Sequence, residues 1–227
     1  MASKRCSKCQ FGHNEVNACS KCKTAWYCSK ECQKAHWEIH KPLCRPYSPN
    51  EVWGIKLLCD AEKPPSASKD NSGPVPGRFV HELVNTNHPV FKRGELCPVT
   101  ALFGIPLLIY SAAVERGIDM PGQGNQPAVY LRIEPDNGFA PPPWQMCLPG
   151  SCIVVRRDKK PLLKATLEAI YAFHGKILNG AGYPESDGWA PIREYMTPAA
   201  FQFFSRDHFE KQKEKKRVGF DPFYEPL

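Results

Sequence analysis

Apolar positions along this chain fall in short, interrupted runs whose period changes from one run to the next. Phe79 to Val84 has the length and composition of a strand. Pro98 to Phe103 reads as a short helix stopped by Gly104, and Pro106-Leu107-Leu108-Ile109-Tyr110 as a buried strand, with a continuation through Val114 left open. Ala128 to Ile133 alternates apolar and polar positions, which predicts a strand with one wet face. Asp136-Asn137-Gly138 signals a turn, and Gly150 to Arg156 predicts a further strand. Pro161 opens the clearest helical pattern: Leu163, Leu167, Ile170, His174 and Ile177 recur near the 3.6-residue spacing, and Gly180 and Gly182 end it. Thr197-Pro198 starts a last helix that runs into the charged stretch from Glu210 to Arg217. Strands before and among helices predict an α+β domain, a small mixed sheet with one or two helices packed on a face.

The pattern changes toward the N-terminus. Val52 to Cys59 is apolar and β-like, a strand or docking segment of the second domain, and Glu62 to Pro74 is rich in breakers and poor in apolar residues. The organisation expected is therefore a small domain over residues 1–46, a partly flexible linker over 47–78 in which 52–59 can be a strand, and an α+β domain over 79–227. At 227 residues the chain has room for one ordinary domain and a small one.

Cysteine changes the picture most. Of 11 cysteines, seven lie between Cys6 and Cys44, and the spacing is Cys6-x2-Cys9-x9-Cys19-x2-Cys22-x5-Cys28-x3-Cys32-x7-His40-x3-Cys44. An odd total without a secretory leader is poor material for a disulfide framework, so the cluster points to metal. The two Cys-x2-Cys pairs suit tight knuckles that aim two thiolates at one ion. Glu31 to Leu43 reads as helical, and there His40 and Cys44 are i and i+4 and share a side. Eight ligands make two tetrahedral sites with none left over. Spacing alone leaves open whether each ion takes two adjacent pairs or the pairs interleave, and helical geometry alone admits His36 in place of His40. The scattered Cys59, Cys97, Cys147 and Cys152 read as small buried side chains.

The stretch from Trp26 to Cys44, Trp-Tyr-Cys-Ser-Lys-Glu-Cys-Gln-Lys-Ala-His-Trp-Glu-Ile-His-Lys-Pro-Leu-Cys, resembles the MYND-type zinc finger over about a fifth of the chain. The resemblance implies two structural Zn²⁺ ions in an interleaved arrangement, one on Cys6, Cys9, Cys28 and Cys32 and the other on Cys19, Cys22, His40 and Cys44. It favours His40 over His36. It also implies that Gln33 and Trp37 help bind short proline-containing peptides. The two are i and i+4 on one helix face, where a part-exposed indole and an amide suit a peptide. The competing expectation is that Trp37 is apolar filler, the role also expected of Trp26 and Tyr27.

Charge weakens a nucleic-acid reading. The formal charge is +7, and residues 1–45 carry nine Lys or Arg against three Asp or Glu. Seven thiolates and two zinc ions lower the finger to about +3. Lys4, Arg5, Lys8, Lys21, Lys23, Lys30, Lys34 and Lys41 are dispersed and read as a solvated basic face. Lys211 to Arg217 reads as a solvated helix end.

No catalytic signature is present: no G-x-S-x-G, no P-loop and no dinucleotide glycine fingerprint, and Gly122-Gln123-Gly124 lacks the strand–helix context. His81, His88, His174 and His208 are isolated, while Asp136, Asp158, Glu168 and Asp187 are candidates for pairing in space. Some MYND fingers sit inside SET-type lysine methyltransferases. Asn87-His88 shares only a dipeptide with the cofactor-contacting motif of those enzymes, the Gly-rich cofactor segment is missing, and the remaining chain is short for that domain. No apolar run reaches the roughly 20 residues of a membrane span, and the N-terminus lacks a leader's apolar core. The expectation is an intracellular, non-enzymatic protein-interaction module that recognises a proline-containing peptide in a regulatory assembly, without membrane or nucleic acid. An enzyme in the second domain and a nucleic-acid binder are the alternatives.

Overall fold

A computed structural model of the chain describes residues 6–9, 15–23, 25–41, 44–46, 48–63, 78–119, 121–146, 148–180, 193 and 195–217. These fall into two compact units, residues up to 49 together with 207–217, and residues 50–206.

The smaller unit has little regular structure. Strands β1 (Asn17–Ala18) and β2 (Trp26–Tyr27) pair antiparallel, and helix α1 (Lys30–His40) follows. Ser29 caps α1 by accepting a 3.2 Å hydrogen bond from the Cys32 N–H. The only α1 residue that is buried is His40. An 11-residue helix that buries one side chain has no apolar stripe to hold it, so its anchor is ligation.

The larger unit is built on one antiparallel five-stranded sheet. In chain order come β3 (Glu51–Leu57), β4 (Phe79–Asn85), α2 (Pro89–Arg93), β5 (Glu95–Leu96), α3 (Pro98–Leu102), β6 (Leu107–Tyr110), α4 (Ala112–Arg116), α5 (Gln126–Leu131), α6 (Pro142–Met146), β7 (Cys152–Arg156), α7 (Lys164–Gly180) and α8 (Pro198–Glu214), of which the residues up to 206 belong to this unit. The strand order is β4-β3-β7-β6-β5. Ile55 faces His81 on one side and Val154 on the other, and Ile109 also faces Val154, so alternate residues line up across the sheet. One face carries Ile55, Leu57, Phe79, Cys152, Val154, Leu107 and Ile109, all nearly or fully buried. The opposite face holds a smaller cluster of Val84, Val90 and Val155 with α2.

Helix α7 buries Leu167, Ile170, His174 and Ile177 and also Thr166, Glu168 and Ala169. A helix buried on more than one side lies between layers rather than on the outside. Phe201 of α8 stacks on Phe103 at 4.3 Å between centroids and meets Phe173 edge-on at 5.4 Å. The fold is α+β, a sheet-and-helix domain joined in sequence to a small cross-braced Cys/His unit.

Four expected elements differ. Helix α1 stops at His40 instead of running to Leu43, so Cys44 lies past the helix end, where its N–H donates to the Lys41 carbonyl at 3.2 Å. Residues 128–133 are not a strand: Gln126–Leu131 is helix α5. Asn125 accepts from the Ala128 N–H at 3.4 Å, Pro127 sits in the first turn, and the Asn125 amide donates to the carbonyls of Leu57 and Gly150 at 3.2 and 2.8 Å. Cap and proline outweigh a six-residue alternation that suits either structure. The run through Tyr110 does not continue to Val114, because Ser111 accepts from the Val114 N–H at 3.1 Å and starts α4. Helix α7 begins at Lys164 rather than Pro161, since the Leu162 N–H is held by the Trp53 carbonyl at 2.9 Å. Residues 64–77, Cys147, Gly182 and Asp187 lie outside the described residues.

Candidate metal centres and the adjoining groove

The first knuckle is stitched to β2: the Ser7 N–H donates to the Trp26 carbonyl at 2.7 Å, and the Ser7 hydroxyl accepts from the Trp26 N–H at 3.1 Å. The second follows β1, where the Lys23 N–H returns to the Cys19 carbonyl at 3.0 Å and Lys23 takes a left-handed φ of 61°. These turns and α1 gather the ligand atoms of Cys6, Cys9, Cys28 and Cys32 into one group, and those of Cys19, Cys22, His40 and Cys44 into another. Within each group they lie within 4.8 Å of one another. The pairs therefore interleave.

The separations fit zinc. With Zn–S near 2.3 Å and Zn–N near 2.0–2.1 Å, tetrahedral edges come to about 3.8 Å for S···S and about 3.6 Å for N···S. Cys9 and Cys28 are 3.8 Å apart, Cys28 and Cys32 3.5 Å, and Cys19 and Cys44 3.7 Å. His40 Nε2 lies 3.5 Å from Cys22 Sγ and 3.4 Å from Cys19 Sγ. Thiols packed this closely cannot ionise together unaided. Burial and then neighbouring thiols push Cys28 up to about 12 and Cys44 up to about 11. Burial also raises Cys6, but backbone hydrogen bonds from Cys9, Cys28 and Lys8 outweigh it and bring that thiol to about 6. A divalent cation at each group reverses the penalty and stabilises the thiolates. Burial lowers the His40 pKa, which keeps the imidazole neutral as ligation requires. The finger holds two structural zinc ions, and with every position taken by protein neither ion has room to activate a water.

His36 has another role. Its Nδ1 is 2.9 Å from the hydroxyl of Tyr27, itself 2% exposed, and its ring stacks on His40 at 6.1 Å. Tyr27 is thus apolar filler with its hydroxyl satisfied, while Trp26 is half-buried. Trp37 is 40% exposed and touches the flank of His40, ring centroids 5.9 Å apart. With Gln33, Lys30 and Lys34 it lines a groove of about 500 Å³. Lys30 and Lys34 are thus set apart from the dispersed lysines with which composition alone groups them. The i, i+3, i+4, i+7 series Lys30-Gln33-Lys34-Trp37 is the signal that places them beside Gln33 and Trp37.

In the larger unit the isolated histidines are structural. His81 Nε2 accepts from the Lys164 N–H at 3.0 Å, His88 Nδ1 caps α2 through the Val90 N–H at 3.1 Å, and the buried His174 Nδ1 meets the Ile170 carbonyl at 2.8 Å. Each candidate carboxylate among the described residues pairs with a cation instead of another acid: Asp136 with Arg193 at 2.6 Å, Asp158 with Arg156 at 2.6 Å, Glu168 with Lys164 at 3.9 Å. Cys59, Cys97 and Cys152 are fully buried, and burial pushes the Cys97 thiol up to about 12. Among the described residues no helix is long and apolar enough to cross a membrane.

A closed two-metal finger, cross-braced through one helix, defines a zinc-stabilised module with no catalytic position at its metals. Residues 5–44 are a MYND finger, matched over that span by the MYND finger family model, and such a finger is a protein-interaction module. Tudor domain-containing protein 1 of Mus musculus is 24% identical over 145 residues, covering 57% of this chain and 12% of that protein. SET domain-containing protein 14 of Caenorhabditis elegans is 42% identical over 76 residues, 33% of this chain and 18% of that protein. Histone-lysine N-methyltransferase SMYD3 of Homo sapiens is 42% identical over 40 residues, 18% of this chain and 9% of that protein. The 40-residue match has the length of a finger, whereas the mouse match extends well past one. The chain spans less than a fifth of the length of any of these three relatives. No solved structure matches the chain at a significant level.

Proposed function

We propose that the finger docks a short proline-containing peptide across Gln33 and Trp37, and so recruits a protein partner into a regulatory assembly. The observation that carries this reading is the placement of Trp37. Its indole is 40% exposed on a groove of about 500 Å³, where a filler residue would be buried like Tyr27. An exposed indole beside an amide offers an apolar plate and a hydrogen-bonding handle. Proline in the peptide is already restricted in φ, so docking costs less conformational entropy. Zinc ligation by Cys32 and His40 at either end of α1 fixes the face that carries both residues.

The test is peptide binding by the full zinc-loaded chain. Trp37→Ala should weaken binding at least about thirtyfold, as loss of a tryptophan anchor typically costs about 2 kcal/mol or more. Gln33→Ala should cost less, roughly 0.5–1.5 kcal/mol for one hydrogen bond. Zinc content has to stay at two per chain in both variants. If Trp37→Ala keeps its zinc and binds as before, the reading is wrong.

A further inference from the structure

The groove is not electrically neutral. On a helix of 3.6 residues per turn, Gln33, Trp37, Lys30, Lys41 and Lys34 fall in that order within an arc of about 100°. Lys30, Lys34 and Lys41 are all exposed, and among the described residues the groove lining contains two lysines and no carboxylate. The nearest acids on α1, Glu31 and Glu38, lie beyond Lys34 on the side away from Trp37. Glu31 sits in the first turn of α1. The groove is therefore a strip with an indole and an amide on one side and ammonium groups on the other. The lysine stems extend its apolar wall while their heads stay in water.

We propose that the occupant of this groove is an acidic proline-containing peptide segment, with the proline and an apolar neighbour on Trp37 and adjacent glutamates or aspartates paired with Lys30 and Lys34. The proposal rests on the peptide-docking reading above and adds the chemistry that selects among proline-containing segments. Opposite charge across the rim steers encounter and rejects basic segments, and like charge there would be repulsive. The whole finger favours the same sign, since it keeps about +3 after its thiolates and zinc ions are counted.

Two fluorescent peptides test it on the full zinc-loaded chain. They share a Pro-Leu-Pro core and differ in three flanking residues, all glutamate or all serine. The glutamate peptide should bind roughly three- to tenfold more tightly at 0.1 M salt, the range expected for two exposed ion pairs. That advantage should vanish near 1 M salt, where the screening length falls from about 10 Å to about 3 Å. Lys30→Glu with Lys34→Glu should invert the preference, so that the serine peptide binds more tightly than the glutamate peptide, with zinc content still two per chain. Equal binding of the two peptides, both abolished by Trp37→Ala, overturns the acidic preference and leaves peptide docking standing. Failure of both peptides to bind overturns both. Binding of an oligothymidine through the same lysines, with no preference between the peptides, shows a phosphate-binding face and also overturns the proposal.

Discussion

Cys32 and His40 sit on one helix, eight residues and about 12 Å apart along its axis, yet they belong to different metal groups. Their helix is the brace between the two sites, and the sites are unequal. Three of the four sulfurs in the Cys6 group are half-buried, while all four ligands in the Cys19 group are buried. A competing chelator should therefore remove the two zinc ions in order, the ion of the all-cysteine group first. Release followed with a zinc-sensitive dye should show two phases of about one ion each. Cys32→Ser should lack the fast phase and His40→Ala the slow one. A single phase that delivers both ions would show that the brace makes the sites one unit.

Metal removal should also separate the two parts of the chain. A segment of about 45 residues buries too little apolar surface to fold alone, and a structural zinc contributes on the order of 10–16 kcal/mol to such fingers. The sheet, by contrast, rests on Ile55, Leu57, Val154 and Ile109, none of them near a ligand in the chain. Strong chelation should abolish the finger's structure and leave one cooperative thermal transition from residues 50–206. Loss of that transition together with the zinc would show that the larger unit depends on metal.

How much of the molecule is legible in its sequence depends on how strongly each signal is tied to chemistry. Eight ligands in paired spacing are a valence statement, so the two zinc ions follow from spacing alone. The interleaving does not, because knuckle spacing is the same whichever pairs share an ion. Strands with apolar runs, such as Leu107–Tyr110 and Cys152–Arg156, are legible for the same reason their residues are buried. Helix α5 is not: Ala128 to Ile133 alternates over a length where both periods fit, and the deciding feature is Asn125, whose side chain caps the helix and bridges two carbonyls 68 and 25 residues away. Strand β5 has only two residues, below the length at which alternation carries a signal. The lysines of the groove look dispersed when taken one at a time, and only their helical spacing places them beside Trp37.

Gly54 is closely packed within the sheet. A Cβ there would lie 2.7 Å from the Val154 carbonyl oxygen, 2.8 Å from Val155 Cγ1 and 3.1 Å from Val84 Cγ2. Two of those neighbours are side chains, but the closest is backbone on a paired strand and cannot swing away. Gly54→Ala should destabilise the larger unit by about 1–3 kcal/mol, the usual cost of overpacking, read from the midpoint of urea unfolding. Adding Val155→Ala should relieve only the side-chain clash, so the double variant stays less stable than the parent. Full recovery in the double variant would show that the strands have moved apart and that the carbonyl contact is not limiting.

His174 should make the larger unit sensitive to acid. The ring is 2% exposed, its Nδ1 is spent on the Ile170 carbonyl, and its other nitrogen has no hydrogen-bond partner among the described residues. Burial lowers its pKa from 6.5 to about 4. In the unfolded chain the imidazole titrates near 6.5, so between that value and about 4 the unfolded state holds a proton that the folded state does not. Stability from this group is therefore fully present above pH 6.5 and is lost as pH falls toward about 4, by on the order of 3 kcal/mol at most. His174→Leu keeps the site apolar and removes the titration. Burial lowers His81 and His88 as well, but both remain in either protein and cancel in the comparison. With chelator present throughout, to take the finger out of the measurement, the parent should lose stability more steeply than His174→Leu between pH 6.5 and 4.5. Parallel curves would mean that the ring gains a proton without unfolding, and that its surroundings are wetter than their burial suggests.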